Sequence, residues 1–198
     1  MISNSYKVLP FGPILFKAKL SQKEIEDIKS LCSKDQKNSK RHDLAGHIYN
    51  EYSIDRAKLN CILKNTFDLF YDGYSRFYNQ QCKKQGINDA WVNYMKKGDF
   101  NPLHTHSKCV FSGVIYLNVP KELQEEQNKF MGNDAGPGSI TFNLLSYKPS
   151  YFIGSHGEFP REGDIYIFPA GLEHTVAPFK SEVERISVAF NTNNIKSI

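Results

Sequence analysis

Three histidines and one arginine are the residues best spaced to do chemistry in this chain of 198 residues. His104 and His106 lie one residue apart in "NPLHTHSKCVFSGVIYLNVP" (101–120), just ahead of a long apolar run. If that stretch is extended they share a face, because side chains repeat every second residue along a strand. His174 follows the break "PAG" in "GDIYIFPAGLEHTVAPF", and Arg185 starts "RISVAFN" with Ser187 two residues on, hence on the same face. Should the early pair and the late histidine converge inside a β-barrel, three imidazoles would serve one first-row divalent ion. Iron, zinc, nickel and copper all accept imidazole, and open coordination positions favour catalysis over a structural role. Arg185 adds a planar fork suited to a carboxylate. A metal beside such a fork is a site for a carboxylate-bearing ligand.

Blander readings compete. Arg185 could simply bridge Glu182 or Glu184, a common surface pairing. Asp99 is the nearest upstream acid that could stand in for His106. His42, His47 and His156 lack comparable partners and read as surface or hydrogen-bonded residues, and Cys109 as a buried small apolar residue.

The elements that must position these groups can be read from periodicity. After Asn88 the chain is a series of short β-rich runs, "WVNYMKK", "CVFSGVIYLNV", "GSITFNLL", "DIYIFPA", "HTVAPF" and "RISVAFN", separated by Gly, Pro, Asn and Asp. Many short strands with no helices between them indicate an antiparallel sandwich or barrel. Upstream, "YKVLPFGPILFKAKL" reads as two short strands with a turn near Gly12 and Pro13. Ser21 followed by Glu24 makes a capping box that opens a helix ending near Lys37. "RHDLAGHIYNEYSI" reads as loop with a short extended piece. A second helix runs from near Asp55 to Gly86, with Leu59, Ile62, Leu63, Phe67, Phe70, Tyr74, Phe77 and Tyr78 at helical spacing; this stripe reads as core packing. Both helices would pack on one outer face of the sheet. "LQEEQNKFMGNDAGPG" and "SYKPSYFIGSHGEFPREG" read as loops that could cover the mouth of the barrel. The expected organisation is a single domain over 1–198, with N-terminal strands and supporting helices in 1–88 and a β-rich core in 89–192.

Composition narrows the function classes. The net charge of +4 and pI near 8.7 are mildly basic, with Lys and Arg interspersed among acids, which is a weak case for a nucleic-acid partner. No run approaches the roughly 18 apolar residues of a membrane span and no signal peptide opens the sequence, so a soluble, cytoplasmic protein is expected. Cys32, Cys61, Cys82 and Cys109 form no CxxC pair, which argues against a cysteine-type zinc site and fits a reducing compartment. An aromatic content of 13% supports a packed core over disorder.

Taken together, "HTH" before "VIYLN", "IFPAGLEHTV" and "RISVAFN" resemble the Fe(II)- and 2-oxoglutarate-dependent oxygenase superfamily, which is built on the double-stranded β-helix, or jelly roll. Within it the chain is similar to the 2OG-Fe(II) oxygenases common in phages and marine bacteria, a likeness shared by "LAGHIYNEY" (44–52) and "WVNYMKKGDFNPLHTH". It covers roughly residues 40–191. The resemblance implies a mainly β (α+β) jelly roll with two supporting helices, and Fe(II), 2-oxoglutarate and O2 as cofactor and cosubstrates. It also implies an oxidoreductase that hydroxylates a substrate with release of succinate and CO2.

Carried over position by position, His104 and His174 match the two histidine ligands, and His106 falls where the usual H-x-D motif has its carboxylate. Arg185 and Ser187 match the R-x-S pattern that holds the distal carboxylate of 2-oxoglutarate. Tyr116 lies where related prolyl hydroxylases place a tyrosine on the same carboxylate, and Asn93 could reach the proximal end. The departure at His106 changes the charge: three neutral imidazoles leave Fe(II) at +2, which dianionic 2-oxoglutarate neutralises. Two alternatives remain. A cupin-type three-histidine metalloenzyme that does not use 2-oxoglutarate leaves Arg185 and Ser187 unassigned, and a noncatalytic jelly-roll binding module makes the histidines incidental. Protein side chains, nucleobases and small metabolites are all compatible as substrates, and any oligomeric state is.

Overall fold

The computed structural model describes residues 12–132, 135–144 and 154–194. Its elements in chain order are β1 (Phe16–Lys19), α1 (Gln22–Lys29), β2 (Glu51–Ser53), α2 (Arg56–Ile62), α3 (Lys64–Tyr78), β3 (Gln85–Met95), β4 (Asn101–His104), β5 (Phe111–Asn118), α4 (Lys121–Asn128), β6 (Ile140–Asn143), β7 (Ser155–Glu158), β8 (Asp164–Pro169), β9 (Glu173–Val176) and β10 (Arg185–Asn194). The strands form a six-stranded sheet in the order β1-β8-β5-β10-β3-β2 and a four-stranded sheet in the order β4-β9-β6-β7, with antiparallel pairing throughout. An antiparallel sandwich was the expectation from the strand spacing, and it forms.

Alternation along the strands divides the apolar residues into two cores. Val92, Tyr94, Ile115, Leu117, Ile165, Ile167, Val188 and Phe190 turn one face of the large sheet to Ile25 and Ile28 of α1, Leu59 of α2, and Phe67, Phe70 and Tyr71 of α3. Met95, Tyr116, Tyr166 and Phe168 on the other face meet Ile140, Phe142 and Val176 of the small sheet. The large sheet is therefore buried on both sides, and anything held between the sheets is shielded from water.

The helix starts agree with the sequence, whereas the helix ends do not. The capping box opens α1: Glu24 N donates to Ser21 Oγ at 3.3 Å, and Ser21 N donates to Glu24 Oε2 at 2.8 Å. The helix stops at Lys29, not Lys37, just after its last buried side chain, Ile28; Asp35 then caps a separate 3-10 turn, Gln36–Asn38. Asp55 caps α2 as expected, accepting from Ala57 N and Lys58 N at 3.0 and 3.1 Å. The single long helix is broken at Leu63 into α2 and α3, so three helices rather than two support the sheet. α3 ends at Asn79 in the left-handed conformation, and Gly86 belongs to β3 instead of closing a helix. Tyr71 fixes that switch: its hydroxyl accepts from Gln85 N at 2.7 Å and donates to Gln85 O at 3.1 Å, tying the first residue of β3 to α3.

Both stretches read as loops contain structure. α4 begins two residues before "LQEEQNKFMGNDAGPG" and runs into it, anchored by fully buried Leu123, and Glu126 caps the backbone N–H groups of Lys180 and Ser181 at 2.9 and 2.8 Å. β7 lies within the second stretch and pairs with β6; residues 145–153 fall outside the described residues, as does the strand expected before Gly12. Cys109 is half-buried, not buried. Among the described residues no helix is long and apolar enough to cross a membrane.

Candidate metal centre

The small sheet brings the histidines together through its register. His104 on β4 is directly opposite His174 on β9, and His174 is opposite Phe142 on β6. The strand ends at His104, so His106 is placed by another device, its backbone N–H donating to Ala170 O at 2.9 Å. The three ring centroids are 4.2, 5.1 and 5.2 Å apart, and one candidate ligand atom from each ring lies within 4.8 Å of the others. His106 Nε2 and His174 Nε2 are 3.3 Å apart.

The backbone also selects the tautomer. His104 Nδ1 is 2.7 Å from Pro102 O and His174 Nδ1 is 2.9 Å from Leu172 O. A carbonyl only accepts, so each Nδ1 carries the proton and each Nε2 lone pair is left for a ligand, the arrangement that orients metal-binding imidazoles. Burial, reinforced by the neighbouring imidazoles, pushes His106 down to about 4 and His174 down to about 3. Both are neutral near pH 7, the form a metal requires.

Across the sandwich the large sheet contributes a polar row. Asn93 on β3, Ser187 on β10 and Tyr116 on β5 are successive cross-strand neighbours. Arg185 stands two residues before Ser187 and is 2% exposed. Its Nη1 donates to Gly138 O at 2.7 Å, its Cζ lies 5.3 Å from the Tyr116 ring centroid, and its Nε has no partner. The surface-bridge reading does not hold, because Glu182 pairs with Lys97 and Glu184 with Lys34 at 2.7 Å. Burial lowers the pKa of Arg185, yet a guanidinium stays charged in a protein. Among the described residues this guanidinium has no carboxylate partner, and a buried charge without one costs several kcal/mol. Asn93 Oδ1 is likewise buried without a partner, and burial pushes the Tyr116 phenol up to about 12, keeping it neutral.

All seven residues singled out from the sequence, Asn93, His104, His106, Tyr116, His174, Arg185 and Ser187, line this one inner chamber. Asp99 does not; its Oδ2 accepts from Lys96 N at 2.9 Å in a turn, and it stands outside the histidine group. His47 stacks on Phe100 with centroids 4.5 Å apart and His156 sits 3.0 Å from Glu158, both away from the chamber. Sequence reasoning missed an outer cleft of about 270 Å³ that shares Trp91, Asn101, His104 and His106 with the chamber and adds Asp43, Glu51 and Asp89. The single tryptophan and the "NEY" of "LAGHIYNEY" were the signals available for it.

The family model described as "Putative 2OG-Fe(II) oxygenase" matches residues 89–191, which contain all seven chamber residues. Among solved structures, the chain is similar to the viral collagen prolyl hydroxylase of Paramecium bursaria Chlorella virus-1 in its 2OG complex, with TM-score 0.57, 14% identity, and 90% of this chain and 94% of that one covered. A Pseudomonas putida prolyl-4-hydroxylase gives 0.52 at 17% identity, covering 90% and 92%. HygX from Streptomyces hygroscopicus, with nickel and 2-oxoglutarate bound, gives 0.53 at 13% identity, covering 92% and 82%. Among curated proteins none matches the chain. At such identities the structural likeness speaks for the fold, the jelly roll of prolyl-hydroxylase-like oxygenases. The family match spans just over half of the chain, 103 of its 198 residues, and this protein therefore belongs to the 2OG-Fe(II) oxygenase family, whose members work with Fe(II), 2-oxoglutarate and O2.

Proposed function

We propose that the protein hydroxylates a C–H bond of its substrate, with His104, His106 and His174 as the iron ligands and Arg185, Ser187, Tyr116 and Asn93 as the seat of 2-oxoglutarate. The observation that carries this reading is the chamber's two ends. One holds three imidazoles with donor atoms within 4.8 Å of one another, and the other a buried guanidinium with no carboxylate partner among the described residues. When bound, iron and 2-oxoglutarate supply activation of O2, one oxygen atom entering the substrate C–H bond and the other the succinate left when CO2 departs.

The chain's own residues do the rest. Pro102 O and Leu172 O hold the imidazole rings in register. The Arg185 fork and the Ser187 hydroxyl orient the cosubstrate's far carboxylate, while the neutral Tyr116 phenol can donate without adding charge. Asn93 Oδ1 and Arg185 Nε, both buried without partners, fit a ligand that completes them. Val114, Ile140 and Phe168 line the chamber and exclude water. The cupin-type alternative leaves Arg185 as a buried charge with no purpose, and the binding-module alternative does the same for the histidine geometry.

The test is turnover of 2-oxoglutarate to succinate by the Fe(II)-loaded protein in air without substrate. Succinate formation is expected, whereas neither alternative allows it. Arg185→Ala should weaken 2-oxoglutarate binding by about 1.5–3 kcal/mol, the scale of a charge-assisted hydrogen bond, and leave Ni(II) affinity unchanged in calorimetry.

A further inference from the structure

The outer cleft contains an acid with no structural employment. Glu51 is 2% exposed, lines the cleft, and its Oε2 has no hydrogen-bond partner. On β2 it is directly opposite Asn93, so it projects from the same face of the large sheet as the chamber residues. It is not one of the donors grouped around the histidines, so it is not a further ligand of the same ion. Buried carboxylates that serve a fold are paired or fully hydrogen-bonded, and Glu51 is neither. Burial, and after it the nearby Asp99, push its carboxyl up to about 8, and a cation seated beside it would draw it into the charged form.

The surroundings indicate what would complete it. Asp43 and Asp89 also line the cleft, and among the described residues no lysine or arginine does. Both of these acids have a basic partner, Lys40, at 3.0 Å from Asp89 and 4.0 Å from Asp43. Trp91 is part of the same wall, its ring 6.1 Å from that of His106. A carboxylate beside an indole is a receptor for an organic cation, which gains ion pairing from one and a cation–π contact from the other.

We propose that the outer cleft admits a substrate group carrying a guanidinium or ammonium, received by Glu51 and Trp91, so that a neighbouring C–H bond faces the histidine triad. The assignment rests on the oxygenase reading of the chamber. The cleft's volume of about 270 Å³ suits a side chain or a small metabolite.

Trp91 is the only tryptophan, so its fluorescence reports on the cleft directly. The experiment titrates the protein, both metal-free and loaded with Ni(II) and 2-oxoglutarate, with matched pairs: L-arginine against L-citrulline, and L-lysine against L-norleucine. Acetyl-Gly-Arg-Gly-amide against its citrulline analogue separates a polypeptide side chain from a free amino acid. At least one cation is expected to change the emission saturably and to bind at least tenfold more tightly than its neutral partner. Glu51→Gln, checked for folding by thermal unfolding, should abolish that preference. Equal affinities within every pair, no saturable response to any cation, or an undiminished preference in Glu51→Gln would overturn the proposal. Failure of Ni(II) and 2-oxoglutarate to bind would instead count against the oxygenase reading, since charge discrimination by the metal-free cleft is measured independently.

Discussion

The two faces of the large sheet are built from the same strands to opposite specifications. On β10, Ile186, Val188 and Phe190 join the core beneath the helices, while Arg185, Ser187 and Ala189, on the alternate positions, line the chamber. The helix-side face is apolar and close-packed. The inner face includes Arg185 and Asn93, each buried with a polar atom left unpartnered. A fold does not gain from such atoms, because each costs about 1–3 kcal/mol of desolvation. On the proposed reading, a bound cosubstrate completes these two.

The comparison can be broken most forcefully on the packed side. Phe190 is fully buried, meets Phe67 edge-on at 5.7 Å and lies where a side chain at Gly113 would otherwise go. Phe190→Ala should cost about 3–5 kcal/mol, read as a lowered midpoint in denaturant unfolding.

Acid should act on the other side. His106 and His174 charge near their ordinary value of 6.5 in the unfolded chain but only near about 4 and about 3 in the folded one. Between those limits the unfolded state binds more protons, so the metal-free protein should lose stability as pH falls below about 6.5, by at most about 1.4 kcal/mol per pH unit for each ring. Glu51 contributes the opposite sign. Its folded value of about 8 lies above the ordinary 4.5, so its share of stability is lost as pH rises through that window, and Glu51→Gln should remove that component from the unfolding profile.

The smallest effect sharpens the contrast most. Arg185→Met makes the inner face resemble the outer one; the metal-free protein should be as stable as before or more so by about 1 kcal/mol, while 2-oxoglutarate binding measured by calorimetry weakens as in Arg185→Ala.

The features legible in the sequence were those whose signal is local. Ser21, Glu24 and Asp55 announce helix starts because a cap needs only its own turn, and β5, β8 and β10 show themselves by their apolar runs. The ends near Lys37 and Gly86 were misplaced because they depend on tertiary contacts, on where burial by Ile28 stops and on Tyr71 capturing Gln85. α4 carries only Leu123 as a buried residue, and β7 reads "SHGE" with three exposed positions, so neither has a periodicity to detect. The histidines and Arg185 were visible because few residue types can do their chemistry. Glu51 was not, since a glutamate becomes informative only once the pairing of β2 with β3 buries it.

The carbonyl that meets Arg185 belongs to Gly138, whose backbone is left-handed (φ 71°) and so close to α4 that a β-carbon there would come within 3.0 Å of Leu123. The guanidinium is thus aimed by a helix that contributes nothing to the chamber wall. On the proposed seating of 2-oxoglutarate by Arg185, substitutions at Leu123 or Gly138 would retune affinity for the cosubstrate from behind, a route to altered catalysis that leaves every ligand-touching side chain in place.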